Sequence, residues 1–406
     1  MNFLKINDLD IPFIFEENND LPIIVLKLVF RNSGRISDGE FAGLSRIFAR
    51  ILNEGVDDNF FKNLDFKAIN LDSSSNFETF EINISCLKEN FKFALESLIN
   101  LLLNPRFDEK ILNKVKISAI SELASKNNDF DYLAKVLLNK ISFKNKDFYL
   151  PNDGNKDTIE KISLKKLDDF YKKNIALNNL VISLGGDIKE QNAKELLSTY
   201  FSKLHKGIKV DNKFYKIEEN QEDVLIKKDS QQAYIYFSSF FDTDFKDKNF
   251  HLAKIALFVL GQGGFGSRLM EEIRVKRGLA YSAYAMLDIN LSYKRVFGYL
   301  QTKNESSNEA IKLVKDIFND FVKNGVSENE LKQAKNFLIG SLPLRYESLN
   351  KRLAISFDEF YYGLEKNAFK KSLLDIEKTN LEQLNEYIKK HSEIIKLNFA
   401  SVKNEN

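Results

Sequence analysis

The chain repeats itself, and a repeat of this length restricts the folds open to it more than any composition does. Phe170 to Gly186 reads FYKKNIALNNLVISLGG, and Tyr387 to Ser401 reads YIKKHSEIIKLNFAS. Each gives an amphipathic helix end, a Lys-Lys pair and an alternating strand, spaced by about half the chain. The run starting near Ala94 (ALESLINLLLNPRFDEKILNKVK) pairs with that starting near Ala310 (AIKLVKDIFNDFVKNGVSENELKQAKN). Both are long apolar-periodic stretches, broken at Asn104-Pro105 or Asn324-Gly325 and followed by an acidic helix start. Their spacing is nearly the same before and after the break, and Leu44 to Gly55 matches Leu252 to Gly263 at a similar one. Three matches in one order predict two similar domains, 1–210 and 220–406, joined near Lys206 to Glu222.

Strands precede and separate the helices in each half. Leu21 to Phe30 and Gln232 to Phe241 are rich in β-branched and aromatic residues, and Phe77 to Cys86 alternates apolar with polar. Helices come in pairs rather than one per strand. The expected class is α+β: two similar domains, each a mostly antiparallel sheet with helices packed on one face.

Rare residues exclude several chemistries. Cys86 is the only cysteine among 406 residues, which rules out disulfide frameworks and cysteine-rich metal sites. The three histidines, His205, His251 and His391, lie far apart in the chain, so no two share a helix turn as a helical zinc pair requires. The 60 basic and 58 acidic side chains balance to +2, without the basic excess expected of a nucleic-acid binder. No apolar run approaches membrane-spanning length, and the N-terminal segment lacks a signal-peptide pattern. The expectation is a cytoplasmic protein with neither nucleic-acid nor membrane partners. Gly261-Gln262-Gly263-Gly264-Phe265-Gly266 matches a dinucleotide fingerprint, and Asp288 follows near the place of its ribose-binding acid. The residues before it, Leu252, Ile255, Val259 and Leu260, have helical spacing, whereas that fingerprint must follow a strand.

The segment Arg35 to Val56, RISDGEFAGLSRIFARILNEGV, predicts a helix beginning at Asp38, because Ser37 and Glu40 have capping-box spacing. Gly55 suits the turn that ends it. Together with the residues before it, this passage resembles the opening of the pitrilysin/insulinase family of zinc peptidases, which includes the mitochondrial processing peptidase. In that family the helix carries H-x-x-E-H, whose histidines bind zinc and whose glutamate activates water. The resemblance places the histidine positions on Arg46 and Arg50 and the glutamate position on Ala49. The family's third ligand, carried by a later helix, falls on Glu122 in AISELASKNND, and a further acidic position has become Val115. Guanidinium offers no lone pair and stays protonated, so this half is expected to be free of metal. The resemblance further implies that Glu122 pairs with the arginines where zinc sits in active relatives.

A second resemblance lies in GQGGFGSRLMEEIRVKRGLAYSAYAML, Gly261 to Leu287. In family members an Arg and a Tyr seven residues apart hold the substrate backbone and help stabilise the oxyanion. Arg274 and Tyr281 have that spacing, and a helix from Ser267 to Arg277 ended by Gly278 would let them converge. A weaker element is AINLDSSSNF, Ala68 to Phe77. There Asn70, Ser73 and Ser74 occupy the place where relatives add substrate as another strand at a sheet edge; a plain serine-rich turn is the alternative.

What the resemblance implies is a zinc-less chain, without cofactor, that is inactive alone. It would pair with a zinc-bearing homologous subunit, lend Arg274 and Tyr281 to that partner's site, and help enclose peptides or small unfolded proteins. The alternative is a pseudoenzyme scaffold or peptide-binding protein with no catalytic contribution.

Overall fold

The computed structural model describes residues 2–143 and 146–404. The chain forms two compact units. The first comprises Met1–Ala124, Leu150–Lys213 and Arg345–Phe360; the second comprises Ser125–Tyr149, Phe214–Leu344 and Tyr361–Asn406.

In the first unit the strands β1 (Asn2–Ile6), β2 (Leu9–Glu17), β3 (Ile23–Arg31), β4 (Asn70–Ser75), β5 (Thr79–Leu87) and β6 (Leu180–Gly186) form one sheet. Its order is β1-β2-β6-β3-β5-β4, and every pairing is antiparallel except β2 with β6. Alternation along β3 sends Leu26, Leu28 and Phe30 into a core shared with the helices Leu44–Leu52, Phe91–Leu103 and Leu164–Asn174. Phe48 is completely buried there, its ring 5.3 Å from those of Phe80 and Phe170. Truncating such a side chain removes about 3–5 kcal/mol of stability.

The second unit contains β7 (Asp223–Lys227), β8 (Gln232–Phe240), β9 (Ala280–Ile289), β10 (Lys294–Lys303) and β11 (Asn398–Lys403) in the order β7-β11-β8-β10-β9. This is the order β2-β6-β3-β5-β4 over again, with one parallel pair, β7 with β11, in the same place. The repeat read from the sequence is therefore a repeat of topology.

Two expectations need correction. Helices do not lie on one face alone. Helix Phe130–Ser142 belongs to the second unit, where Ala134 and Leu138 pack on Tyr236, Phe297, Ala400 and Val402, the face opposite Ile235 and Phe237. Arg295, almost fully buried, pins this helix by donating to Asp288 at 2.7 Å and to Asn139 at 3.0 Å. Conversely, helix Leu349–Tyr361 covers Val29 and Val181 in the first unit, above Gly185. A β-carbon at Gly185 would stand 2.9 Å from both Leu349 and Leu353. Each unit thus holds a helical segment from the other half of the sequence, Ser125–Tyr149 in the second and Arg345–Phe360 in the first, so the linear division at 1–210 and 220–406 differs from the compact units by that exchange.

The second correction concerns the helix expected from Asp38. It begins at Leu44, because Gly39 (φ 56°) and Gly43 (φ 96°) turn the chain left-handed first. Ser37 bonds back to Gly34 instead of capping, and the buried Asp38 carboxylate caps from a distance, accepting from the N–H groups of Gly43 at 3.0 Å and Ser45 at 2.9 Å. Gly55 takes the expected positive φ, 74°. No helix among the described residues is long and apolar enough to cross a membrane.

Candidate functional site

Three places carry the expected residues. The first lies on helix Leu44–Leu52. Arg46 and Arg50, one turn apart, project from it toward Glu122 on helix Glu109–Ser125. Arg50 is ion-paired with Glu122, Arg46 reaches the same carboxylate at 3.6 Å, and Arg46 is also paired with Asp153. The space among Gly43, Arg46, Arg50, Ala119, Glu122 and Asp153 is only about 10 Å³, near the minimum for one water. Ala49 is buried in the core beside them and brings no polar group, and Val115 is likewise core.

Asp153 escaped the sequence reading. Its signal is the turn Pro151-Asn152-Asp153-Gly154, in which Gly154 has a φ of 69° and lies so close to Ala42 that a β-carbon would come within 2.0 Å of the Ala42 carbonyl oxygen. Thr158, which donates to that same carbonyl at 2.8 Å, holds the turn against the helix start. Asp38 supports the same end from inside. Burial pushes its carboxyl up to about 7, against the pull of the neighbouring Arg35 guanidinium and the N–H bonds it accepts.

Zinc does not fit these residues. Neither arginine can ligate, and the two carboxylates within reach are already engaged by guanidiniums. Among the described residues no group of three or more His, Cys, Asp or Glu gathers as a metal site. Chemically the arrangement is a charge-balanced clasp between two helices and a turn, with no base free to activate water.

The second place is the edge strand β4. Asn70 is exposed at its start, Ser73 is buried, and Ser74 lies between them in exposure. The outward edge is not open at its centre. The Asn53 carboxamide, just past the end of helix Leu44–Leu52, donates to the Ser73 carbonyl at 2.9 Å and accepts from the Ser73 N–H at 2.8 Å. Ser75 adds a hydroxyl bond to Ser45 at 2.8 Å.

The third place is in the second unit. Helix Phe250–Leu257 precedes the glycine-rich loop, as expected, and two π-helical turns, Phe258–Gln262 and Met270–Val275, bracket it. The expected helix from Ser267 to Arg277 is therefore mostly π-helical, a geometry that recurs at functional sites. Gly278 (φ 61°) ends it and β9 follows. Arg274 donates to the Tyr281 main-chain carbonyl at 2.7 Å, and its guanidinium lies 4.7 Å from the Tyr281 ring. Phe265, within the glycine motif, also stands 4.8 Å from the same guanidinium. Phe265 is 69% exposed and Tyr281 75%, so two aromatic rings hold a cation at the surface. Arg277 pairs with Glu272 at 2.7 Å and takes no part.

Residues 161–338 match the family model described as Peptidase M16 inactive domain. The Helicobacter pylori protein described as Non-peptidase homolog YmxG is 38% identical over 404 residues, covering 98% of this chain and 93% of that one. A Bacillus subtilis protein described as an uncharacterized zinc protease, also YmxG, is 25% identical over 310 residues, 74% of this chain and 72% of its own. Among solved structures, the peptidase M16 inactive domain from Pseudomonas fluorescens superposes with a TM-score of 0.88 at 24% identity, covering 97% of this chain and 95% of that one. A Helicobacter pylori protease gives 0.81 at 15% identity, with 96% of each chain covered. At these identities the two structures speak for the fold.

Proposed function

The chain belongs to the M16 peptidase family, and on that premise we propose that it is the zinc-less subunit of a two-chain metallopeptidase. Its zinc-bearing homologue would supply the metal and the activated water, and this chain would supply Arg274 and Tyr281. The observation that carries the reading is the Arg274–Tyr281 pair itself, hydrogen-bonded, stacked and exposed. One N–H of Arg274 is used by the Tyr281 carbonyl, and a guanidinium has five, so donors remain for a peptide carbonyl or a developing oxyanion. The Tyr281 phenol is a second donor. Substrates would be extended peptides or small unfolded proteins, and cytoplasmic residence is part of the same proposal. The clasp at Arg46, Arg50, Glu122 and Asp153 supports a chain that performs no hydrolysis alone, in keeping with a relative described as a non-peptidase.

Co-purification from the native cell, followed by reconstitution with any H-x-x-E-H-bearing protein recovered, tests the proposal. Arg274→Ala with Tyr281→Phe should lower peptidase activity roughly 100-fold if these groups stabilise the oxyanion. Full activity in the double variant would remove the catalytic role and leave a scaffold. That second reading is favoured by one observation, the closure of the β4 edge by Asn53, which leaves this chain without an open strand edge there for substrate.

A further inference from the structure

The second sheet repeats the first strand for strand, except that β1 has no counterpart in it among the described residues. In the first unit β1 pairs along the outer edge of β2, and its Leu4 and Ile6 are buried in the core. The strand in the place of β2 is β7, which pairs with β11 alone and ends its sheet. The Phe399 N–H donates to the Glu222 carbonyl at 2.7 Å and the Lys228 N–H to the Lys403 carbonyl at 3.0 Å. The even-numbered residues of this stretch therefore face β11, and alternation turns the N–H and C=O groups of Asp223, Leu225 and Lys227 outward. Beside this edge Leu225 lines a groove of about 440 Å³ with Ile311, Lys312 and Lys315 of helix Ser307–Asn324.

Lysines on an edge strand ordinarily turn other strands away. The sequence here answers its own charges. Residues Glu222 to Lys228 read EDVLIKK. Laid antiparallel on a second copy with Leu225 opposite Leu225, this segment sets Glu222 against Lys228, Asp223 against Lys227 and Val224 against Ile226. Opposite charges directly across a strand pair stabilise it, and like charges there repel. Leu225 would exchange both main-chain bonds with its own copy. We propose that β7 is a self-association edge: two copies of this chain pair through antiparallel β7 strands, related by a two-fold axis at Leu225, into one continuous sheet. The proposal concerns this chain alone and depends neither on a zinc-bearing partner nor on the role of Arg274 and Tyr281.

The test is sedimentation velocity of the full chain without any partner, as a concentration series at low salt. Wild type should show a reversible monomer–dimer equilibrium that weakens as salt is added. Glu222→Lys sets a lysine against Lys228, and Lys228→Glu sets a glutamate against Glu222. Both side chains are exposed, so neither change should disturb folding. Each variant alone should dimerise roughly ten-fold more weakly than wild type. An equal mixture of the two should recover the wild-type dimer, because every cation then faces an acid. Leu225→Pro removes an outward N–H where an edge strand tolerates proline, leaves the β11 ladder intact, and should also weaken the dimer roughly ten-fold. A chain that stays monomeric throughout the series would overturn the proposal. So would a dimer that none of the three substitutions weakens, or a mixture no tighter than its separate components.

Discussion

The Arg50 guanidinium and the Glu122 carboxylate form an ion pair between two helices that are well separated in sequence. Arg46 and Asp153 extend it to four charges that sum to zero. Between a quarter and two-fifths of the Arg46, Arg50 and Glu122 side chains is exposed, so solvent screens the network and each pair contributes about 1 kcal/mol or less. Glu122→Gln should lower stability by about that amount, with a difference that shrinks at high salt. A double-mutant cycle between Glu122→Gln and Arg50→Ala in urea unfolding checks it. Strict additivity would mean the two groups do not interact in solution.

Replacing the cations tests the same geometry by its chemistry. Glu122 already touches both arginines, so Arg46→His with Arg50→His puts two imidazoles and a carboxylate where two guanidiniums and a carboxylate now meet. Three such ligands with an open fourth position suit zinc. The double variant should take up cobalt or zinc stoichiometrically while wild type takes up none, measured by cobalt absorbance and metal analysis. No uptake by the variant would show that the three positions are not arranged to share a metal.

How far the sequence carried this site depends on the range of the contacts involved. The duplication was legible because core periodicity survives in both halves, and the two sheets repeat one strand order. Arg274 and Tyr281 were singled out by the family resemblance and not by their spacing, and their contact is local: residues 276–279 alone separate the π-helical turn Met270–Val275 from β9. Asp153 was not, since nothing near Arg46 marks a turn so far along the chain as its partner. The helix start at Asp38 was misread for a related reason: capping-box spacing was present, but burial beside Arg35 turned the Asp38 carboxylate inward, and Gly43 delayed the helix to Leu44. The exchanged helices Phe130–Ser142 and Leu349–Tyr361 carry ordinary amphipathic patterns, which do not say whose sheet they will cover.

Phe265 should matter to Arg274, whose guanidinium lies 4.8 Å from its ring. A cation stacked on an exposed ring gains about 0.5–1 kcal/mol, and Arg274 has two rings within reach. Phe265→Ala should leave overall stability within about 0.5 kcal/mol, since the ring is mostly exposed, yet loosen the Arg274 side chain. Guanidinium Nε–Hε relaxation in the wild type and the variant reads this directly. Phe265→Tyr, which keeps the ring, should restore the wild-type order. An unchanged Arg274 signal in the alanine variant would assign all of its positioning to Tyr281.

Asp38 should give the folded chain a pH dependence of definite sign. Burial raises its carboxyl from 3.8 to about 7, so between those values the folded chain keeps a proton that the unfolded chain has released. Stability therefore falls as pH rises through that window, by at most about 1.4 kcal/mol per pH unit, and the loss is complete above the folded value. Asp38→Asn carries no ionisable group and keeps one acceptor oxygen for the Gly43 or Ser45 N–H. Asp358, also raised by burial, to about 6, adds a slope of the same sign. The wild-type curve minus the variant curve, from urea unfolding across the acid-to-neutral range, isolates Asp38. That difference should slope downward to about pH 7 and then level off. A flat difference would mean that Asp38 is ionised throughout, with the Arg35 guanidinium and its two N–H bonds outweighing the cost of burial.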